Sequence, residues 1–130
     1  MSSNIEQINN FNNPDYKKRI KKCMIGDSFQ MIPPRLNDNS IIVAQVNENG
    51  EYEGFLHCSI KDKVLTFATG FTNVNYRRKG ISTKLRLWIM ENIPNIDRYE
   101  SLTMPGSHSA SLLEKMGFHK EDNKMVKMKK

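Results

Sequence analysis

The sequence has 130 residues, of which 38% are hydrophobic and 26% are charged, and a formal net charge of +6. This length and composition predict one soluble globular domain over residues 1–130, without room for a second. No apolar run reaches the roughly 20 residues of a membrane-spanning helix. The polar segment 1–13, which we expect to be loosely ordered, lacks the core of a signal peptide. Two cysteines without metal-ligand spacing argue against a disulfide framework and a metal site, so we expect a cytoplasmic protein. The positive net charge predicts an anionic partner.

The first third of the chain predicts a short strand, a basic helix and a loop. Asn4–Ile8 is a candidate edge strand. A helix is expected to begin at Pro14 and to end at Gly26. The proline pair within the segment 29–36 excludes a regular helix, so we expect a loop there. The basic residues of the helix predict a solvated surface, formed by Lys17, Lys18, Arg19, Lys21 and Lys22.

Three strands joined by short turns come next and predict an antiparallel meander. A helix, a strand parallel to the third meander strand, a second helix and a closing hairpin complete the pattern. The predicted bounds are 40–46, 52–60 and 64–71 for the meander, 81–92 for the first of these helices, 98–104 for the parallel strand, and 118–120 with 124–128 for the hairpin. Ser107 and Gly117 are expected to cap the second helix. This order predicts the α+β class, with a central, mostly antiparallel sheet and helices packed on it.

The loop between the third meander strand and the following helix reads Tyr76-Arg77-Arg78-Lys79-Gly80-Ile81-Ser82. Gly80 lets the backbone approach a ligand closely because it has no Cβ. The first N–H groups of the helix have no intrahelical partner and favour an anion. Together with the three basic side chains, these groups predict a cradle for a pyrophosphate.

The helix after this loop is predicted to be amphipathic. Its apolar residues recur at helical spacing and predict one buried face, formed by Ile81, Leu85, Trp88 and Ile89. The opposite, solvent-facing side is predicted to carry Lys84, Arg86 and Glu91.

The same loop resembles the acetyl-coenzyme A loop of the GNAT N-acetyltransferase superfamily. That pattern is Arg or Gln, two residues, Gly, one residue, then Gly or Ala, and here Ser82 stands at the last position. A second segment, 109–118, ends in Glu-Lys-Met-Gly-Phe and resembles a later helix of the family. Both motifs occur in the family's order and at about its spacing, and the resemblance covers roughly residues 40–130.

The resemblance implies a GNAT-like fold, with a sheet that splays at a parallel strand pair and helices on both faces. It implies acetyl-coenzyme A as cofactor and acetyl transfer to a primary amine of a small molecule or a protein. The pantetheine arm would meet backbone groups of Thr72, Asn73 and Val74. The pyrophosphate would meet the residues Arg77, Arg78, Lys79, Gly80, Ile81, Ser82 and Thr83. The later helix would flank the thiol, within reach of Ser107, Ser109 or Ser111. The basic helix would form part of the acceptor wall.

Candidate catalytic residues are harder to identify from the sequence. His57 and Glu100 lie on predicted strands near the expected cleft and are candidate general bases, with Glu53 as a third option. Leu113 stands where many members of the family carry a tyrosine that protonates coenzyme A, and a leucine cannot do this. Ser109, Ser107, water or the substrate could supply that proton instead.

Two other readings of the sequence remain open. Because the tyrosine and an obvious base are absent, the chain could be a catalytically degenerate GNAT domain that binds coenzyme A or a partner without turnover. The basic helix, the basic loop and the lysines at 127, 129 and 130 could also bind nucleic acid, although the sequence has no basic and aromatic stacking motif. We expect a monomer or a homodimer, and no membrane partner.

Overall fold

The computed structural model describes residues 4–8, 15–25, 39–77, 79–102, 108–121 and 124–129. Within them, the strands are β1 (Asn4–Ile8), β2 (Ser40–Val46), β3 (Tyr52–Lys61), β4 (Val64–Thr72), β5 (Arg98–Leu102), β6 (His119–Glu121) and β7 (Lys124–Met128). The α-helices are α1 (Asp15–Cys23), α2 (Ile81–Asn92) and α3 (His108–Lys115), and a short 3-10 helix spans Val74–Tyr76. The predicted loop 29–36 and the predicted helix ends Pro14 and Gly26 lie outside the described residues.

All seven strands belong to one mixed sheet, in the order β1-β2-β3-β4-β5-β7-β6. Neighbouring strands are antiparallel except β4 and β5, which are parallel and are joined through α2. The structure therefore confirms the edge strand Asn4–Ile8, the meander, the parallel crossover and the closing hairpin. No helix in the described part of the chain has the length and apolar character needed to span a membrane.

Helices cover both faces of the sheet, as the resemblance implied. Along β2, residues 42, 44 and 46 join the apolar cluster beneath α1, whereas residues 41 and 43 join the cluster beneath α2. The reason is that successive side chains of a strand point to opposite faces. Leu113 of α3 belongs to the α2 cluster. We call the side of the sheet that carries α2 and α3 the α2 face, and the other side the α1 face.

The turns follow the sequence signals. Asp62 and Lys63 connect β3 to β4 with φ angles of 52° and 65°, and two positive φ values are the geometry of a tight type I′ hairpin. Gly50 turns β2 into β3 with φ of 79°. Gly117, with φ of 95°, ends α3 in the left-handed conformation that the sequence predicted.

The burial pattern of α2 departs from the prediction at one residue. Ile81, Leu85 and Ile89 are buried and Trp88 is partly buried, as the apolar spacing predicted. Arg86 was predicted to face solvent, and that prediction is wrong because only 7% of the residue is exposed. The contacts that keep it inside are described below.

Candidate functional site

The parallel strand pair of the sheet opens into a fork. β4 pairs with β5 over four residues, from Val64 opposite Arg98 to Phe67 opposite Ser101. β4 then continues to Thr72 with β3 as its only partner among the described strands. The second half of β4 therefore separates from β5, as the resemblance implied, and leaves backbone groups on its inner edge without a neighbouring strand.

An irregularity in the β3–β4 pairing coincides with the start of the fork. His57 pairs with Thr69 and Cys58 pairs with Phe67, so Ala68 is an extra residue in β4. Such a bulge bends a strand and increases its local twist. Ala68 at the bulge and Gly70 beyond it are both exposed. The bulge thus turns the end of β4 away from β5.

Asn73, directly after β4, ties the loop to the rest of the fold. Its side-chain amide donates to the carbonyl oxygen of Cys23 at the end of α1 (2.7 Å), and its side-chain oxygen accepts from the N–H of Asn75 (2.9 Å). Its own N–H donates to the carbonyl oxygen of Glu53 (2.9 Å). These bonds hold the loop at the open end of the fork, and they leave the Asn73 N–H occupied within the fold.

Gly80 brings the chain from the loop into α2. Its φ of 75° and ψ of 19° are left-handed, and it makes no side-chain capping bond. Its carbonyl oxygen accepts the first helical bond, from the N–H of Lys84 (3.0 Å). The N–H groups at the start of α2 therefore have neither an intrahelical acceptor nor a capping side chain from Gly80. The space in which a Gly80 side chain would lie is open within 4 Å.

The start of α2 lies close to the sheet because of a second glycine. A Cβ atom on Gly54 of β3 would come within 2.9 Å of the Ile81 side chain and 3.2 Å of the Phe71 carbonyl oxygen. Gly54 thus lets Ile81, which is 3% exposed, pack directly on the strand. The first turn of α2 is held beside the end of β4.

Two cationic side chains of the described loop precede this helix start. The Arg77 guanidinium donates through Nε to the Thr72 carbonyl oxygen (3.2 Å) and lies 5.4 Å from the centre of the Phe71 ring. The Lys79 amine lies 5.4 Å from the centre of the Tyr76 ring. Arg78 is outside the described residues. The positive charges of Arg77 and Lys79 and the free N–H groups in the first turn of α2 both favour an anion. The predicted cradle therefore combines both features.

Arg86 is the residue of α2 that was wrongly predicted to face solvent. Its guanidinium lies 5.4 Å from the centre of the Phe67 ring and donates through Nη1 to the Ser82 hydroxyl. Its Nε has no hydrogen-bond partner. Burial lowers the pKa of Arg86, and the Cys58 side chain acts in the opposite direction. A signal for this burial exists in the sequence, because Arg86 stands four residues after Ser82 and three before Ile89, at the border of the apolar stripe.

His57 lies on the α1 face of β3, beside the bulge. Its neighbours Leu56 and Cys58 join the α2 cluster, so the alternation of the strand directs His57 to the opposite face. The residue is 9% exposed, and neither ring nitrogen has a hydrogen-bond partner. Burial lowers the pKa of His57. The imidazole is therefore held neutral at pH 7, with one nitrogen able to accept a proton.

Glu100, the second predicted base, lies on the α1 face of β5 but is held by two cations. Its carboxylate oxygens accept from Arg98 Nε (2.7 Å) and from the Lys124 amine (3.0 Å). Burial is the largest single influence on the pKa of Glu100 and raises it, but the two cations together outweigh burial and lower the pKa. A carboxylate held in this way is a weak base, and this geometry disfavours Glu100 as the catalytic base.

The other predicted acid and base residues occupy different surroundings. Glu53 is 6% exposed and accepts a hydrogen bond from the Gln45 side-chain amide (2.8 Å). Leu113 is fully buried in the α2 cluster, so this position serves the core. Ser109 lies in the first turn of α3, and Ser107 falls outside the described residues. Within the described part of the chain, no group of His, Cys, Asp or Glu could hold a metal ion.

Comparisons with known proteins agree in fold. No family model matches the sequence, and no curated protein matches it significantly. The structure is similar to that of YhhK from E. coli, a proposed N-acetyl transferase bound to coenzyme A, at 15% identity and a TM-score of 0.74, covering 98% of this chain and 99% of YhhK.

Two further structures have the same architecture. The spermidine/spermine N-acetyltransferase SpeG from Vibrio cholerae matches at 10% identity and a TM-score of 0.72, covering 98% of this chain and 95% of SpeG. The ribosomal-protein-S18-alanine N-acetyltransferase from Escherichia coli matches at 12% identity and a TM-score of 0.70, covering 96% and 90%. The chain therefore has the GNAT fold.

Proposed function

We propose that this chain is an acyl-coenzyme A-dependent N-acetyltransferase that moves an acetyl group from acetyl-coenzyme A to a primary amine. The observation that carries the proposal is the fork between β4 and β5, which opens beside the uncapped start of α2. A cofactor with a pyrophosphate at one end and a thioester at the other fits this pairing of an anion cradle with an open strand edge. The coenzyme A bound to YhhK supports the same cofactor here.

The start of α2 and the end of β4 would bind different parts of coenzyme A. The first N–H groups of α2, at Ile81, Ser82 and Thr83, together with Arg77 and Lys79, would bind the pyrophosphate. The exposed backbone of β4 beyond Ala68 would bind the pantetheine arm, much as an added strand binds a sheet edge. Thr72 and Asn73 serve mainly to position the loop, because their backbone groups already bond to Arg77 and Glu53.

Acetyl-coenzyme A supplies the acyl group as an activated thioester. The amine nitrogen bonds to the carbonyl carbon, the carbon–sulfur bond breaks, the nitrogen loses a proton and the coenzyme thiolate gains one. Backbone N–H groups on the free edge of β4 would stabilise the negative charge that develops on the carbonyl oxygen.

His57 is the residue best placed to accept the proton of the amine. It lies in the pair with Thr69, directly at the bulge where the fork opens, and both of its ring nitrogens lack partners. Burial keeps it in the neutral form that a general base needs. Glu100 is disfavoured for this role because Arg98 and Lys124 neutralise its charge. Protonation of the thiolate is left to water, Ser109 or the incoming ammonium.

The first test is calorimetry with acetyl-coenzyme A and with free coenzyme A. We expect saturable binding and a rise in melting temperature at saturation. A titration with no heat and no thermal shift at millimolar coenzyme would contradict the cofactor assignment.

The second test measures thiol release with polyamines, amino acids and peptides as acceptors. Release that depends on the acceptor, with the acetylated product seen by mass spectrometry, supports an enzyme. Binding of acetyl-coenzyme A without turnover on any of these acceptors would instead favour a domain that binds the coenzyme without catalysis.

A further inference from the structure

A buried positive charge lies in the fork. Arg86 is 7% exposed, and none of the described carboxylates forms an ion pair with it. Its guanidinium has the Ser82 hydroxyl and the face of Phe67 as its contacts, and its Nε has no partner. Burying an unpaired charge is costly, and a hydroxyl together with an aromatic ring offsets only part of that cost.

The Arg86 guanidinium lies where the acyl end of a bound coenzyme A thioester would reach. Phe67 is the last residue of β4 that pairs with β5, so its ring marks the closed end of the fork on the α2 face. Tyr99 and Phe118 pack against that ring, with centres 6.5 Å and 6.3 Å away. Arg86 lies over this aromatic floor and reaches back to Ser82 in the first turn of α2. The guanidinium therefore stands between the pyrophosphate cradle and the closed end of the fork.

We propose that Arg86 binds a carboxylate at the far end of the acyl group, so that this chain prefers coenzyme A thioesters of short dicarboxylic acids, such as succinyl- or malonyl-coenzyme A, over acetyl-coenzyme A. This inference rests on the proposed function. A carboxylate would give the unpaired Nε an acceptor and the guanidinium a counter-charge in one contact. The transfer itself is unchanged, since the same carbon–sulfur bond breaks and the same nitrogen–carbon bond forms.

Neither Cys58 nor Glu100 replaces a ligand carboxylate. Burial raises the pKa of the Cys58 thiol to about 12, although Arg86 acts to lower it, so Cys58 stays neutral and supplies no counter-charge at pH 7. Glu100 faces the opposite side of the sheet and is held by Arg98 and Lys124. Neither group therefore neutralises the Arg86 charge.

The experiment compares the affinities of coenzyme A, acetyl-coenzyme A and succinyl-coenzyme A by calorimetry, in the wild type and in Arg86→Gln. We expect the wild type to bind succinyl-coenzyme A about ten- to a hundredfold more tightly than acetyl-coenzyme A, as a charge-assisted hydrogen bond provides. Arg86→Gln should remove this difference and leave the affinity for acetyl-coenzyme A within about threefold of the wild type.

Lys84→Gln is the matched control, because it removes one positive charge from an exposed position of the same helix. It should keep the preference for succinyl-coenzyme A, which separates a specific contact from general attraction to a basic protein. If Arg86→Gln does not fold, Arg86→Lys, which keeps the positive charge, is measured instead. The wild type should then prefer succinyl-coenzyme A, and Arg86→Lys should keep that preference.

Three outcomes would overturn the inference. Equal wild-type affinities for the two thioesters would show that the fork does not read the acyl end. An equal loss for all three ligands in Arg86→Gln would assign Arg86 to the part of coenzyme A that they share. Equal loss of the preference in Lys84→Gln and Arg86→Gln would reduce it to net charge. If none of the three coenzyme A compounds binds, the proposed function itself is contradicted.

Discussion

The two faces of the sheet at the fork are built in different ways. On the α2 face, the cradle comes from one continuous segment, in which Gly80 turns the chain and the first turn of α2 presents its N–H groups. On the α1 face, the ionisable groups come from separate strands, with His57 on β3 and Glu100 on β5. The two candidate bases on that face also differ, because His57 has no hydrogen-bond partner and Glu100 has two cations.

This contrast teaches that a residue's type and its availability are decided at different levels. A glycine that turns a loop into a helix keeps its role in most surroundings, since the role depends on its own backbone. A base is useful only if its neighbours leave it a free lone pair, and those neighbours come from distant parts of the chain. We therefore expect substitutions on the α2 face to change cofactor binding, and substitutions on the α1 face to change turnover.

The largest effect on cofactor binding is expected from Gly80→Val. A β-branched residue at φ of 75° carries about 1–3 kcal/mol of backbone strain, which the loop can relieve only by moving. Calorimetry should show at least tenfold weaker binding of acetyl-coenzyme A. Gly50→Val is the matched control, because Gly50 has φ of 79° and open space around it but lies in the turn between β2 and β3. Equal weakening by both variants would assign the effect to general destabilisation.

Replacement of His57 by Gln should affect the other side of the fork. We expect kcat to fall by about a hundred- to ten-thousandfold, the usual contribution of a placed general base, with the affinity for acetyl-coenzyme A unchanged. In the wild type, the rate should fall with acidity only below the ordinary pKa of 6.5, because burial lowers the pKa of His57. His119→Gln, at an exposed histidine paired with Glu121, is the control. A His57→Gln enzyme with wild-type kcat would remove His57 from the mechanism.

A smaller effect is expected from Leu113→Tyr, which restores the tyrosine seen at this position in many GNAT enzymes. Leu113 is fully buried against the α2 cluster, so a larger ring with a hydroxyl has no space there. Denaturant unfolding should show a loss of about 1–3 kcal/mol, as overpacking of a core does. Thiol release per folded molecule should not increase. An increase would show that the hydroxyl reaches the sulfur and that the site lacks an acid.

The smallest effect is expected in the pH dependence of the unfolding free energy, which differs between His57 and Glu100. Because burial lowers the folded pKa of His57, its neutral form stabilises the fold fully above pH 6.5, and this contribution is lost as the pH falls from 6.5 toward the folded pKa. The pKa of Glu100 is also lowered, so its contribution is present above pH 4.5 and is lost only below that value.

Unfolding free energies of the wild type, His57→Gln and Glu100→Gln at pH 7.5, 5.5 and 4 check this order. His57→Gln should lose less stability than the wild type between pH 7.5 and 5.5. Glu100→Gln should be less stable than the wild type by the same amount at pH 7.5 and 5.5, and this difference should shrink at pH 4. A His57→Gln curve parallel to the wild type down to pH 5.5 would contradict the burial of a neutral imidazole.

The sequence by itself determined most of the secondary structure and the cradle. The apolar run in 40–46, the turn residues Asn49 and Gly50, and the helical spacing from Ile81 to Ile89 are each signals within a few residues, so local rules predicted these elements correctly. The loop 76–82 is likewise one continuous segment, and its resemblance to the GNAT loop led to the fold that the structure confirms.

Only the tertiary structure decided which polar groups are available. Arg86 was predicted to face solvent from its place on α2, but the ring of Phe67, 19 residues earlier in the chain, holds it inside. From the sequence alone, Glu100 has the same standing as His57 as a candidate base, but Lys124 on the neighbouring strand β7 binds the Glu100 carboxylate. Burial and pairing depend on residues that meet only when the sheet forms, and a pattern of neighbouring residues carries no record of those partners.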